Sequence, residues 1–211
     1  MGQRTGGFIG GSWASGGANY GPGRPLAWRQ MPGTTVYTVG HSTRTAEELL
    51  ALLREAAIEL LVDVRAFPGS RRHPQFDRDA LERWLPAAGI GYRHSRDLGG
   101  RRSPTPGSPN GGWRDPAFQG YADHMRSPEF RRALADLETA ARGAPTTIMC
   151  AEAVWWRCHR RLISDALVAR VWRVEHLGIG DGPAVHELTE FAVVEPDGSL
   201  SYPPAQGTLL P

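Results

Sequence analysis

The stretch TTIMCAEAVWWRCHRRLISDALVAR, Thr146 to Arg170, decides the fold. Its opening, Thr146 to Cys150, is short, apolar and β-branched, as a buried strand requires. A polar and aromatic loop follows, and from Arg157 to Arg170 apolar residues recur at helical spacing. A strand feeding a helix through a loop is half of a crossover unit, and crossover units build parallel sheets.

The same alternation extends outward in both directions. Upstream, Thr35 to Gly40 (TVYTVG) reads as a strand, Thr45 to Ala57 as a helix capped by Thr43 or Thr45, and Leu60 to Val64 as a second strand. Asp79 to Ala88 is a helix despite Pro86 and is stopped by Gly89, and Gly91 to His94 is a third strand. Ser127 with Pro128 starts a helix running to about Ala141, with serine as cap and proline at the first position. Downstream, Trp172 to Leu177 is a last core strand. Phe191 to Val194 and Leu200 to Tyr202, joined through Pro196-Asp197-Gly198, form a small hairpin.

The expectation is one α/β domain over residues 34–203: a mainly parallel sheet flanked by helices in a Rossmann-like three-layer arrangement, with a small C-terminal hairpin. Residues 1–33 are rich in Gly, Ser and Pro and read as a flexible tail. A functional version of that tail would set Arg4, Arg24 and Arg29, with its scattered aromatics, against nucleic acid. Residues 204–211 read as a second tail. Residues 95–120 show little periodicity, which marks a functional loop or disorder.

Composition bounds the class. Hydrophobic residues at 40% and charged residues at 22% of 211 suit a soluble globular chain able to bury a core. The net charge of +2 is too small to indicate a polyanion partner, but the basic residues are overwhelmingly arginine, which favours bidentate contacts to phosphate or carboxylate. Only two cysteines occur, Cys150 and Cys158, so a disulfide framework is not expected and a reducing cytoplasm fits. No apolar run is long enough to span a membrane, and no secretory signal opens the chain.

In open α/β sheets ligands bind beyond the carboxyl ends of the strands. The first strand is followed there by His41, Ser42 and Arg44, and the second delivers Asp63, Arg65 and Arg71. The fourth delivers Cys150 and Glu152, then Trp156, Arg157, His159 and Arg160. Asp63, Glu152, His41 and Cys150 are the catalytic candidates. A carboxylate there activates water or steadies an arginine, and a thiol near a helix start and arginines is a candidate nucleophile. Duller roles stand beside each: Cys150 as a core residue, Asp63 paired with Arg65, His41 as a loop hydrogen-bonder. Arg44, Arg65, Arg71, Arg157, Arg160, His159, Trp156 and Ser42 are the candidate substrate contacts. One adjacent Cys-His pair falls short of zinc-ligand spacing, so no metal and no cofactor is assigned.

These motifs are similar to a known family. Val39-Gly40-His41-Ser42 with Arg44, and Leu61-Val62-Asp63-Val64-Arg65 with Pro68, Ser70 and Arg71, resemble the opening of the domain-of-unknown-function 488 family. Phe76, Gly89-Ile90-Gly91-Tyr92, His94 and Leu98-Gly99-Gly100 continue the likeness, which closes with Cys150-Ala151-Glu152, Trp156, Cys158-His159-Arg160 and His176. The resemblance spans about residues 35–203 and implies a cytoplasmic α/β domain, without a reaction. From the residues, the leading expectation is an enzyme that hydrolyses a glycosidic or phosphoester bond in a phosphate-bearing nucleotide or nucleic acid. The alternatives are a phosphatase-like or sulfur-transfer enzyme using Cys150, and a non-catalytic nucleotide or nucleic-acid binding module. The expected partner is thus a small anionic ligand, a nucleotide or a nucleic acid.

Overall fold

A computed structural model describes residues 35–69 and 71–205. The tail expected over residues 1–33, and residues 206–211 of the C-terminal one, lie outside them. Five parallel strands form the core of a six-stranded sheet: β1 (Thr35–Gly40), β2 (Leu60–Asp63), β3 (Gly91–His94), β4 (Thr146–Cys150) and β5 (Arg173–His176). An antiparallel edge, β6 (Ala184–Val185), completes the order β3-β2-β4-β1-β5-β6. A separate antiparallel pair, β7 (Val193–Val194) with β8 (Leu200–Ser201), forms the expected hairpin, with Gly198 at φ 77° in its turn.

Five helices cover the sheet: α1 (Ala46–Glu55), α2 (Arg78–Ala87), α3 (Pro116–His124), α4 (Pro128–Gly143) and α5 (Arg160–Ala169). Side chains alternate across each strand, so Ile148 and Cys150 enter one core and Met149 the other. The first core is closed by Tyr121 of α3, Phe130 and Leu134 of α4, and Leu162, Ile163 and Leu167 of α5. The second is closed by Leu49 and Leu53 of α1 and Leu81 and Leu85 of α2. The result is three layers, with α1 and α2 on one face and α3, α4 and α5 on the other.

This partition positions the site. The chain leaves β2 towards α2 on one face, whereas its neighbour β4 leaves towards α5 on the other. Adjacent strands whose exits diverge open a crevice at their carboxyl ends.

Three sequence expectations are corrected. The helix expected from Arg157 starts at Arg160, because Trp155–Arg157 forms a 3₁₀ turn and Cys158 is extended at φ −134°. Trp155 turns inward there and stacks on His176 at 4.4 Å. The stretch 95–120 is not irregular throughout. It holds a 3₁₀ turn at Arg96–Leu98, and α3 begins at Pro116 with the Asp115 side chain accepting from the Ala117 N–H. The aspartate-proline start that marks this helix is the same device read correctly at Ser127-Pro128. Finally, β6 went unmarked because two residues carry no periodic signal.

Candidate functional site

At the diverging exits of β2 and β4 lies a cleft of about 500 Å³. Cys150, Cys158 and His159 line it together with Arg65, Arg101 and Arg157, and Phe118 and Tyr121 of α3 contribute further wall. Arg101 and Arg157 are exposed, as are the two carboxylates that line the cleft, Asp115 and Glu152.

The two cysteine sulfurs stand 2.7 Å apart. That is well inside non-bonded sulfur contact and beyond the about 2.05 Å of a covalent disulfide; both are free thiols. The Cys158 sulfur also lies 3.5 Å from His159 Nδ1 and accepts the backbone N–H of Arg160, the first residue of α5, at 3.5 Å. Burial opposes ionisation of Cys158, but the Cys150 thiol, His159 and the Arg160 guanidinium outweigh it and hold Cys158 well below the ordinary thiol range. Burial, reinforced by the charge of Cys158, pushes Cys150 well up. His159 donates Nε2–H to the Val64 carbonyl at 2.8 Å, leaving Nδ1 to face Cys158. Burial lowers the pKa of His159, yet the Cys158 charge prevails and raises it.

Arg160 is completely buried, and none of its hydrogen-bond partners is a carboxylate. Its Nη2 donates to the carbonyls of Glu152 (2.6 Å) and Ala153 (3.3 Å), its Nη1 to Thr38 Oγ1 (3.4 Å), and its Nε is unpartnered. From Thr38 a chain of buried hydrogen bonds continues: to His176 Nδ1 (2.7 Å), from His176 Nε2 to His186 Nδ1 (3.0 Å), and from His186 Nε2 to Asp165 Oδ1 (2.9 Å). The carboxylate end fixes every direction. Asp165 can only accept, so His186 donates Nε2–H and accepts at Nδ1, and His176 then does likewise. Each link donates away from Arg160. Burial, then the neighbouring His186 and Arg160, depress the pKa of His176 to about 2.

A second buried arginine follows β2. Arg65 donates Nε to Asp63 Oδ1 (2.9 Å) and Nη2 to Asp63 Oδ2 (2.6 Å) and to the Phe76 carbonyl (2.7 Å). Tyr92 adds a hydrogen bond to the same carboxylate at 3.0 Å. His41 Nε2 lies 3.3 Å from Arg65 Nη1, and His41 Nδ1 faces the Ser42 carbonyl at 3.0 Å. Burial and the Arg65 charge lower the pKa of His41 to about 4.

Two glycines permit these approaches. A Cβ on Gly40 would sit 1.8 Å from the Glu152 carbonyl oxygen, and one on Gly100 would sit 2.8 Å from His159 Nδ1.

Of the residues singled out from sequence, Cys150, Glu152, Arg65, Arg157 and His159 line the cleft, and Arg160 lies buried behind the thiols. Asp63 is fully buried under Arg65 and Tyr92, and His41 lies behind Arg65 rather than in the cleft wall. Arg44 ties the Gly40 and Gly178 carbonyls together, Ser42 takes a left-handed turn conformation (φ 48°), and Arg71 and Trp156 are exposed; none of these four lines the cleft. Cys158, Thr38, Asp165 and His186 are not among the candidate site residues of the sequence. The Cys150-to-Cys158 spacing across a strand-to-helix exit was a usable signal for the first. No local pattern marks the other three. Among the described residues no group of three or more His, Cys, Asp or Glu could hold a metal ion, and no helix is long and apolar enough to cross a membrane.

Comparison with known proteins matches the family described as domain of unknown function DUF488 over residues 45–167. No curated protein and no solved structure matches.

Proposed function

The chain belongs to the DUF488 family, a membership that carries no reaction, and from its cleft we propose a thiol-dependent enzyme acting on a small anionic substrate. The observation that carries this is the Cys158 sulfur, set between the Cys150 thiol at 2.7 Å, His159 Nδ1 at 3.5 Å and the Arg160 N–H at 3.5 Å. In this reading Cys158 is the thiolate and attacks an electrophilic centre. Cys150 keeps its proton, and His159 protonates the leaving group. Arg101 and Arg157, which have no ion-pair partner among the described residues, face the substrate's negative charge.

Alkylation tests it. At neutral pH iodoacetamide is expected to label Cys158 faster than an ordinary peptide thiol, at a rate that stays flat well below the usual thiol pKa of about 8.5. A labelling rate that climbs only through that pKa sinks the proposal.

A second reading, hydrolysis of a phosphate-bearing nucleotide or nucleic acid, draws support from Glu152, an exposed carboxylate beside Arg157 in the cleft. It requires turnover of nucleotides or DNA that Glu152→Ala abolishes and Cys158→Ser leaves intact.

A further inference from the structure

We infer that Cys150 and Cys158 are a two-electron redox pair in which Cys158 reduces a hydroperoxide and Cys150 resolves the product into an intramolecular disulfide. The inference rests on the thiolate reading above and extends it to the class of substrate. Three observations carry it: the sulfurs are 2.7 Å apart, both thiols line the cleft, and the chain contains no other cysteine.

A second thiol in contact with the nucleophile has no task in phosphoryl transfer. It has one when the nucleophile becomes a sulfenic acid, which must condense with a thiol before it is oxidised irreversibly. The geometry favours that condensation. Cys150 ends a strand hydrogen-bonded on both sides, and Cys158 is held by the start of α5, so closing from 2.7 Å to about 2.05 Å is a short motion.

The steps balance. The Cys158 thiolate attacks one peroxide oxygen and the O–O bond breaks. The departing alkoxide takes a proton from His159 and leaves as an alcohol; sulfur is oxidised by two electrons and the hydroperoxide is reduced. The Cys150 sulfur then attacks the Cys158 sulfur and the S–O bond breaks. The departing hydroxide takes the Cys150 proton and leaves as water.

Arg160 sets the direction of the equilibrium. In the dithiol state its buried charge faces a thiolate. In the disulfide state that anion is gone, and no carboxylate touches the guanidinium. A buried cation without a counter-charge disfavours the oxidised form, so the disulfide is readily reduced, the opposite of a structural cross-link.

The test is mass spectrometry of the purified full chain after one equivalent of tert-butyl hydroperoxide. The wild type is expected to lose both thiols and two hydrogens, to remain a single chain without reductant, and to recover in millimolar glutathione. Cys150→Ser is expected to stop with one added oxygen on Cys158, trapped by dimedone, and Cys158→Ser to react at least about tenfold slower. A wild type that gains oxygen on Cys158 as Cys150→Ser does, that cross-links between chains, or that keeps both thiols overturns the inference. The wild-type result decides even where a variant fails to fold. Rapid iodoacetamide labelling of Cys158 without disulfide closure removes the resolving role and leaves the nucleophile, whereas slow labelling removes the thiolate itself.

Discussion

Arg65 and Arg160 follow neighbouring strands and are both buried, yet they meet opposite surroundings. Arg65 lies against the Asp63 carboxylate in a two-point contact. Arg160 meets carbonyls, a hydroxyl and, through its backbone N–H, the Cys158 sulfur. A buried charge with a fixed counter-charge holds the local fold, and removing either partner strands the other. A buried charge whose counter-charge can gain or lose a proton controls reactivity instead, because the thiol can neutralise. The first centre ties the exit of β2 to the Phe76 carbonyl. The second sets Arg160 and the start of α5 against the Cys158 sulfur at the bottom of the cleft.

The sharpest way to break this comparison is to delete each anion in turn. Asp63→Ala leaves Arg65 buried and unpaired and is expected to cost about 3–5 kcal/mol in urea unfolding. Cys158→Ser, which removes the anion beside Arg160, is expected to cost less than half of that, since the guanidinium keeps its hydrogen bonds to Thr38 and to the Glu152 and Ala153 carbonyls. Equal losses would mean that both arginines are structural clamps.

Acid separates the two centres next. His41 and His176, with folded pKa values of about 4 and about 2, lie below the unfolded value of about 6.5. The unfolded chain therefore binds more protons, and stability falls as pH drops below about 6.5, by up to about 1.4 kcal/mol per pH unit for each histidine. The contribution of His41 levels off near pH 4, while that of His176 continues towards pH 2. Urea unfolding at pH 7 and pH 5 should show His176→Gln losing roughly 2 kcal/mol less than the wild type over that interval. An unchanged difference would show that His176 carries a proton in the folded state.

Thr38→Val cuts the hydrogen-bond chain between Arg160 and His176 at nearly constant volume. It should cost about 1–2 kcal/mol and move the pH profile of Cys158 alkylation upward, whereas Tyr92→Phe beside Asp63 should leave that profile in place. A shift in both variants would join the two centres into one unit.

The smallest expected effect on stability is at the cleft mouth. Arg157→Ala should change stability by less than about 0.5 kcal/mol, because its side chain is exposed and forms no ion pair among the described residues. It should nevertheless slow alkylation of Cys158 by anionic iodoacetate more than by neutral iodoacetamide. Equal slowing would deny the arginine an electrostatic part.

The parallel core was legible because β1, β2 and β4 are short apolar or β-branched runs and helical periods separate the strands, with caps such as Ser127-Pro128 marking helix starts. The carboxyl-end rule puts Cys150, Glu152, Arg65, Arg157 and His159 on one edge, where the cleft brings them together, since alternating strands and helices leave little freedom over which edge carries the loops. Asp63 and Glu152 look equivalent in sequence, each ending or following an apolar strand. One is fully covered by Arg65 and the other is exposed in the cleft, a difference set by the loop that returns across Asp63.

The sequence by itself determined the layered α/β class, the edge that carries the cleft and the family, because hydrophobic period and turn chemistry are local properties that a chain displays residue by residue. Only the tertiary structure decided which thiol His159 and the start of α5 approach and which arginine lacks a carboxylate. Those properties depend on residues from distant segments, Thr38, Cys150, Cys158, Arg160, His176 and His186, brought within hydrogen-bonding distance inside a medium that excludes water. In such a medium the identity of the nearest partner, which spacing along the chain does not encode, decides whether a group is ionised.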